Sequence, residues 1–323
     1  MAEFESRIDL KELNKAAEAL RTQVSSVVVG QQKMIDLMLI AILSDGHVLI
    51  EGVPGIAKTL TAKLMAKSLS AQFSRIQFTP DLMPSDVIGT SVFNMAKSEF
   101  EFKAGPIFSN IVLIDEINRA PAKTQSALFE VMEERQITVD GKTYIMDKPF
   151  LVFATQNPIE HEGTYRLPEA QLDRFLFKIE VTYPSLENEI LMLNNHHNRN
   201  GNVDLSTFET IFDLGQIVQL QQIIQTVQIE ANVQKYIAQI VSKTRNNTSI
   251  YLGASPRASL AIMTAAKAHA AINGRDFVTP DDVKEIAAPV LVHRIILTPE
   301  KEMEGLSNRD IIKQIVEQVE VPR

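Results

Sequence analysis

No cysteine occurs among the 323 residues. That absence removes disulfides, thiolate catalysis and cysteine-ligated zinc together, and it fits a reducing compartment. Positive charge is in deficit too. The 32 Lys and Arg against 40 Asp and Glu give a net charge of −8, the wrong sign for a chain whose affinity comes from neutralising phosphate backbones. No stretch approaches the roughly 18 uninterrupted apolar residues of a spanning helix, and the acidic start Met1 to Ser6 lacks the apolar core of a leader. The expectation is a cytoplasmic protein, not membrane-embedded, for which nucleic acid is a poor partner. Repeats and low-complexity tracts are absent. His47, His161, His196, His197, His269 and His293 stand at no metal-ligand spacing with acids, so satisfied or solvated roles are expected for them.

What is present is an α/β pattern. Five short β-like runs, Val48 to Ile50, Arg75 to Phe78, Ile111 to Ile114, Phe150 to Thr155 and Phe177 to Val181, are mostly separated by helical segments. Ser126 to Arg135 carries Ala127, Leu128, Val131 and Met132 on one face, and Leu60, Leu64 and Met65 repeat that spacing after Thr59. Apolar strands alternating with helices predict a parallel sheet buried on both faces, with ligands at its carboxyl ends. Two inserts read as hairpins: 137–145 around Asp140-Gly141, and 90–102 around Lys97-Ser98-Glu99. Their charges cancel, Lys97 and Lys103 against Glu99 and Glu101, Lys142 and Lys148 against Asp140 and Asp147. From about Ser185 the pattern is helical with no strand signal, and Thr279-Pro280-Asp281-Asp282 opens a capped helix. The chain exceeds the usual size of one core; residues 1–185 are expected to form an α/β core and 186–323 an all-α domain.

Chemistry enters at Gly52-Val53-Pro54-Gly55-Ile56-Ala57-Lys58-Thr59, directly after an apolar run. A loop of this kind aims backbone N–H groups at phosphate oxygens, Lys58 reaches the β- and γ-phosphates, and Thr59 offers a hydroxyl to Mg²⁺. Ala57 stands where the strict pattern has Gly; a plain Gly/Pro turn ahead of a solvated Lys58 is the alternative. Downstream partners decide between them. Ile111 to Ile114 ends in Asp115-Glu116, 57 residues after Lys58. A carboxylate there can hold the metal and its neighbour can polarise the attacking water, so Asp115 is assigned to the metal and Glu116 to the water. Asn157, after the next apolar strand, is a candidate to bond that water or the γ-phosphate, or else a turn residue before Pro158. Arg174, ahead of the last strand, is either a guanidinium for the transition state or half of an ion pair with Asp173 or Glu169. Arg257, at the start of a helix that reads as capped at Ser255-Pro256, opposes the helix dipole; a nearby anion explains that, as does simple solvation.

With these residues in order, the chain resembles the AAA+ ATPases and, within them, the MoxR family. Gly52 to Thr59, Asp115 to Pro121, Ala154 to Pro158, Leu167 to Phe175 and Gly253 to Arg257 carry the resemblance over most of the chain; Ala57 is usual in that family. The resemblance implies Walker A at Gly52 to Thr59, Walker B at Asp115 and Glu116, sensor 1 at Asn157, an arginine finger at Arg174 and sensor 2 at Arg257. It implies that Val28, Val29 and Gly30 lie against the adenine, although Gly30 also suits a helix end, and that Gly52 through Leu60 contact the nucleotide, with ATP and Mg²⁺ as cofactors. Thr59 and Asp115 are the metal residues it implies. The 90–102 insert resembles a helix-2 insert and the 137–145 hairpin a pre-sensor insert, both facing the centre of a ring, commonly a hexamer. A chaperone-like role on protein clients follows, often beside a von Willebrand factor A domain protein. A motor resembling minichromosome maintenance helicases and a non-hydrolysing nucleotide scaffold are the rival expectations; charge-neutral hairpins speak against the first, and intact Glu116 and Arg174 against the second.

Overall fold

The computed structural model describes residues 9–158, 165, 167–198 and 208–322. The acidic start and His161 lie outside them. Helices α1 (Lys11–Ser25) and α2 (Gln32–Leu43) lead into β1 (His47–Gly52), α3 (Lys58–Ser68), β2 (Phe73–Gln77), α4 (Pro84–Ile88), the hairpin β3 (Gly89–Asn94) and β4 (Glu99–Ala104), and β5 (Ile111–Asp115). Then come α5 (Ala122–Glu134), the hairpin β6 (Gln136–Val139) and β7 (Lys142–Ile145), β8 (Leu151–Gln156), α6 (Glu169–Leu172) and β9 (Phe175–Val181). The remainder is α7 (Leu186–Asn198), α8 (Leu214–Gln225), α9 (Ala231–Arg245), β10 (Ile250–Leu252), α10 (Pro256–Ile272), α11 (Pro280–Leu291), β11 (Ile296–Leu297), α12 (Pro299–Met303) and α13 (Asn308–Gln318).

The five expected sheet strands form one parallel sheet in the order β2-β5-β8-β1-β9. Period-2 alternation divides each central strand between two cores. Val48, Ile50, Ile111, Leu113, Leu151 and Phe153 face the larger cluster, with α1 to α3 and the C-terminal helices. Leu49, Val112, Ile114, Val152 and Ala154 face the smaller one, with Leu128, Phe129, Val131 and Met132 of α5. Each Val, Leu, Ile, Phe or Met among them removed from water is worth about 1.5–3 kcal/mol, so both faces of the sheet are held. The loops at the strands' carboxyl ends are left to carry chemistry.

Both hairpins form. Asp140 and Gly141 have φ of 51° and 75°, the left-handed pair that a two-residue turn matched to strand twist requires. The hairpins also meet each other: the Phe102 and Tyr144 rings lie 4.5 Å apart, and Ser91 Oγ donates to Asp140.

Two expectations need correction. The helical region contains strand after all, an antiparallel ribbon pairing Ile250 with Leu297 and Leu252 with Ile296; runs of two and three residues are too short for alternation to mark. The start of α10 is also capped differently from its sequence pattern. Ser255 occupies the cap position without a side-chain bond to its own helix, and its hydroxyl instead donates to Asp173 Oδ2 at 3.2 Å.

Candidate active site

Gly52 to Ala57 turn from the end of β1 into α3, and three backbone demands explain their composition. A Cβ on Gly52 would stand 2.7 Å from Val181 O and 2.5 Å from Ile56 Cδ1. Gly55 has φ of 86°, where side chains are strained. Ala57 takes φ of 62°, which is why the strict pattern has glycine there and why the smallest side chain serves in its place. Lys58 Nζ folds back to donate to Gly52 O.

The loop separates two cavities. On one side lies a polar cavity of about 400 Å³ walled by Lys58, Thr59, Asp115, Glu116 and Asn157. On the other is a larger one of about 620 Å³, lined mainly by apolar side chains that include Val28, Val29, Ile56, Leu60, Met192 and Leu193. Pro54, Gly55, Ala57 and Leu60 border both. A polar pocket and an apolar one astride an N–H-rich loop suit a molecule with a phosphate chain at one end and a flat base at the other.

In the polar cavity Asp115 is buried at the end of β5, accepting from Arg75 Nε at 2.6 Å and from Thr155 Oγ1 at 3.1 Å. The Thr59 hydroxyl is 3.4 Å from both Asp115 oxygens. A hydroxyl beside a carboxylate is a hard-oxygen donor pair of the kind Mg²⁺ takes. Glu116 follows with φ of 58°, so its side chain leaves the strand direction. Its N–H donates to Thr155 Oγ1 at 3.0 Å, and its Oε2 accepts from Gln77 Nε2 at 2.7 Å and lies 3.1 Å from Arg119 Nε. Asp115 thus stands beside the Thr59 hydroxyl as the carboxylate of that donor pair, and Glu116 faces the cavity with three neighbours fixing it.

Residues 47–177 match the model of the ATPase family associated with various cellular activities, and residues 242–315 match an AAA lid domain. The uncharacterised protein YeaC of Bacillus subtilis is 47% identical over 96% of this chain and 95% of its own. The chaperone MoxR1 of Mycobacterium tuberculosis is 45% identical over 93% of this chain and 81% of its own. The crystal structure of a candidate ATPase from Cytophaga hutchinsonii superposes with a TM-score of 0.88, at 45% identity and 96% coverage of both chains. The chain belongs to the MoxR family of AAA+ ATPases. Its five-stranded parallel sheet followed by a largely helical lid is the fold of that family, and membership carries nucleotide binding and ATPase activity with it.

In this MoxR-family chain not every sequence-derived candidate lines a cavity. Val53 is half-buried against the core, Gly52 contributes its carbonyl to Lys58, and Gly30 sits against Asn188. Arg174 and Arg257 stand away from both cavities and close to each other. Arg174 donates to Phe129 O and lies 3.8 Å from Glu133; Arg257 is 3.2 Å from the same carboxylate. The expected alternative of an Arg174 pair with Asp173 is not what forms, since Asp173 pairs with Arg294 at 2.7 Å.

Four residues of the polar site were missed in the sequence: Arg75, Gln77, Arg119 and Thr155. Arg75 and Gln77 share one face of β2 and arrive through the register that sets Gln77 beside Asp115. The period-2 polar pair within an otherwise β-like run was the only available signal. His196, expected to be satisfied or solvated, lines the apolar cavity.

Proposed function

We propose that this chain cleaves the γ-phosphate of ATP at a site completed by a neighbouring copy in a ring, commonly a hexamer, and uses the cycle to remodel partner proteins. One observation carries the first half: Lys58, Thr59, Asp115, Glu116 and Asn157, from three strand ends, wall a single polar cavity.

In this reading Lys58 leaves the Gly52 carbonyl for the β- and γ-phosphates, and Thr59 and Asp115 would supply oxygen ligands to Mg²⁺. A bound Mg²⁺ would offset charge on the phosphate oxygens. Glu116, held by Gln77 and Arg119, accepts the proton of a water as its oxygen attacks the γ-phosphorus; the bond to the bridging oxygen breaks and ADP keeps that electron pair. Asn157 bonds the same water. Val29, Gly30 and Leu60 contact the base or its approach.

Arg174 and Arg257 are read as groups donated across the protomer boundary. Their common position at Glu133, outside the chain's own cavities, supports this. The division into an α/β core over 1–185 and a lid over 186–323, cytoplasmic placement and a von Willebrand factor A domain partner belong to the same proposal. Support for a chaperone-like role comes from the likeness to MoxR1.

Substitution separates the roles. Lys58→Ala is expected to weaken nucleotide binding, while Glu116→Gln retains ATP and turns over at least about 10²-fold more slowly. Equilibrium binding of a fluorescent ATP analogue, together with phosphate release, distinguishes the two. Glu116→Gln hydrolysing at the wild-type rate would sink the assignment.

A further inference from the structure

Arg294, in the turn between α11 and β11, is buried at 4% side-chain exposure. All five of its N–H donors have acceptors. Nε reaches Asp173 Oδ1 at 2.7 Å; Nη2 reaches Asp173 O at 3.1 Å and Phe175 O at 2.6 Å; Nη1 reaches Leu176 O at 3.1 Å and Val290 O. A guanidinium is a planar fork whose donors are fixed relative to one another, so this arrangement fixes the backbone on both sides of Arg174. The adjacent His293 Nε2 also approaches Phe175 O, at 3.0 Å.

The second oxygen of Asp173 extends the lock. Oδ2 accepts from the Ser255 hydroxyl at 3.2 Å, and Ser255 is the cap residue of α10, two positions before Arg257. One carboxylate therefore joins the peptide leading into Arg174 to the helix start that carries Arg257. Both arginines emerge on the same side, at Glu133 of α5.

Stability alone is a weak explanation. Burying a charged pair costs desolvation that its attraction often does no more than offset, and apolar replacements of such pairs are frequently neutral or stabilising. A lock that ties the core strand β9 to the turn after α11 and to the start of α10 does something an apolar contact would not: it makes the direction of two cationic side chains depend on one rigid body. We propose that Asp173 and Arg294 are positioning residues that hold Arg174 and Arg257 as a single two-arginine unit, so that movement of the helical region is transmitted to both. This rests on the reading of Arg174 as a group donated to a neighbour's site.

A double-substitution cycle on the full-length protein assembled with Mg-ATP tests it. Steady-state turnover is measured for the wild type, Asp173→Asn, Arg294→Lys, Arg174→Ala and the two pairings with Arg174→Ala, with sedimentation reporting assembly. Asp173→Asn and Arg294→Lys are expected to lower kcat by about 10-fold or more while KM for ATP stays within about 2-fold, since neither touches the chain's own nucleotide cavity. In the Arg174→Ala background the same changes should slow turnover by no more than about 2-fold, because a residue acting through Arg174 has nothing left to position. Should Asp173→Asn fail to assemble, Ser255→Ala, which removes only the link to α10, is read in Arg257→Ala and wild-type backgrounds against the same criterion. Equal losses in both backgrounds, or a loss confined to KM, would overturn the inference. A slow Arg174→Ala beside an unimpaired Asp173→Asn defeats the inference and leaves the shared-site reading standing. A fully active Arg174→Ala defeats that reading and the inference with it.

Discussion

Two non-glycine residues of the site are held in left-handed backbone, Ala57 with φ of 62° and Glu116 with φ of 58°. Each such conformation costs about 1–2 kcal/mol. At Ala57 the conformation lets the loop close into α3; at Glu116 it turns the carboxylate off the strand and towards Gln77 and Arg119. Removing the strain at the first position is expected to stabilise the protein: Ala57→Gly should raise the unfolding free energy by up to about 1 kcal/mol, measured by denaturant titration. A loss of stability would mean that the methyl group makes packing contacts worth more than the strain. The loop and the Asp115-Glu116 pair were legible because each is contiguous along the chain. Arg75, Gln77 and Thr155 were not, because strand register across the sheet brings them in, and one sequence does not reveal which strands are neighbours.

At the scale of elements, the two hairpins pack against each other. Phe102 lies 5.8 Å from Phe108 and 4.5 Å from Tyr144, while Phe108 and Tyr144 are 6.5 Å apart, ring separations at which aromatic contacts each add about 0.5–1.5 kcal/mol beyond burial. Tyr144→Ala is expected to quicken amide exchange in β3 and β4 as well as in β6 and β7, with the central sheet unchanged. Exchange altered in β6 and β7 alone would show the hairpins to be independent. Their existence could be read from Asp140-Gly141 and from alternation, but their contact could not. The β10–β11 ribbon escaped notice for want of length, and α2 illustrates the opposite ambiguity. Met34, Ile35 and Leu37 to Leu43 are all buried, and the polar residues Gln32, Lys33 and Asp36 are confined to its beginning, so from Leu37 onward the helix has no polar face to give the 3.6-residue period that identifies an amphipathic one.

Across the whole molecule, buried histidines link the layers and make stability depend on pH. His47 of β1 approaches Met132 O at 3.1 Å and accepts from Val152 N–H at 3.0 Å; burial, with the nearby Arg135 charge, lowers its pKa from 6.5 to about 3. His293 is likewise held well below its ordinary range by burial, with Arg294 adding to the effect. The unfolded chain therefore binds protons that the folded chain refuses. The stability from these groups is complete above pH about 6.5 and is lost as the pH falls below it, for His47 down to about pH 3, by up to about 1.4 kcal/mol per pH unit for each histidine. Asp282, held below the usual carboxylate range by Arg275 and His269 against the cost of its burial, adds loss in the same direction under more acid conditions. His47→Gln, which retains a donor and an acceptor, is expected to flatten the fall in melting temperature between pH 6.5 and pH 5 by roughly half, leaving the share of His293; an unchanged slope would contradict this.

The molecule's division of labour puts the phosphate loop, Asp115 and Glu116 in one cavity and Arg174 and Arg257 outside it. The most direct measurement is ATP turnover in mixtures of two inactivated chains, Glu116→Gln, which retains its arginines, and Arg174→Ala, which retains its own cavity. If cleavage needs a cation from the adjacent protomer, mixed assemblies contain competent sites and turn over faster than either chain alone. Turnover that never rises above the average of the two parents, at any mixing ratio and with mixed assembly verified, would contradict a site shared between copies.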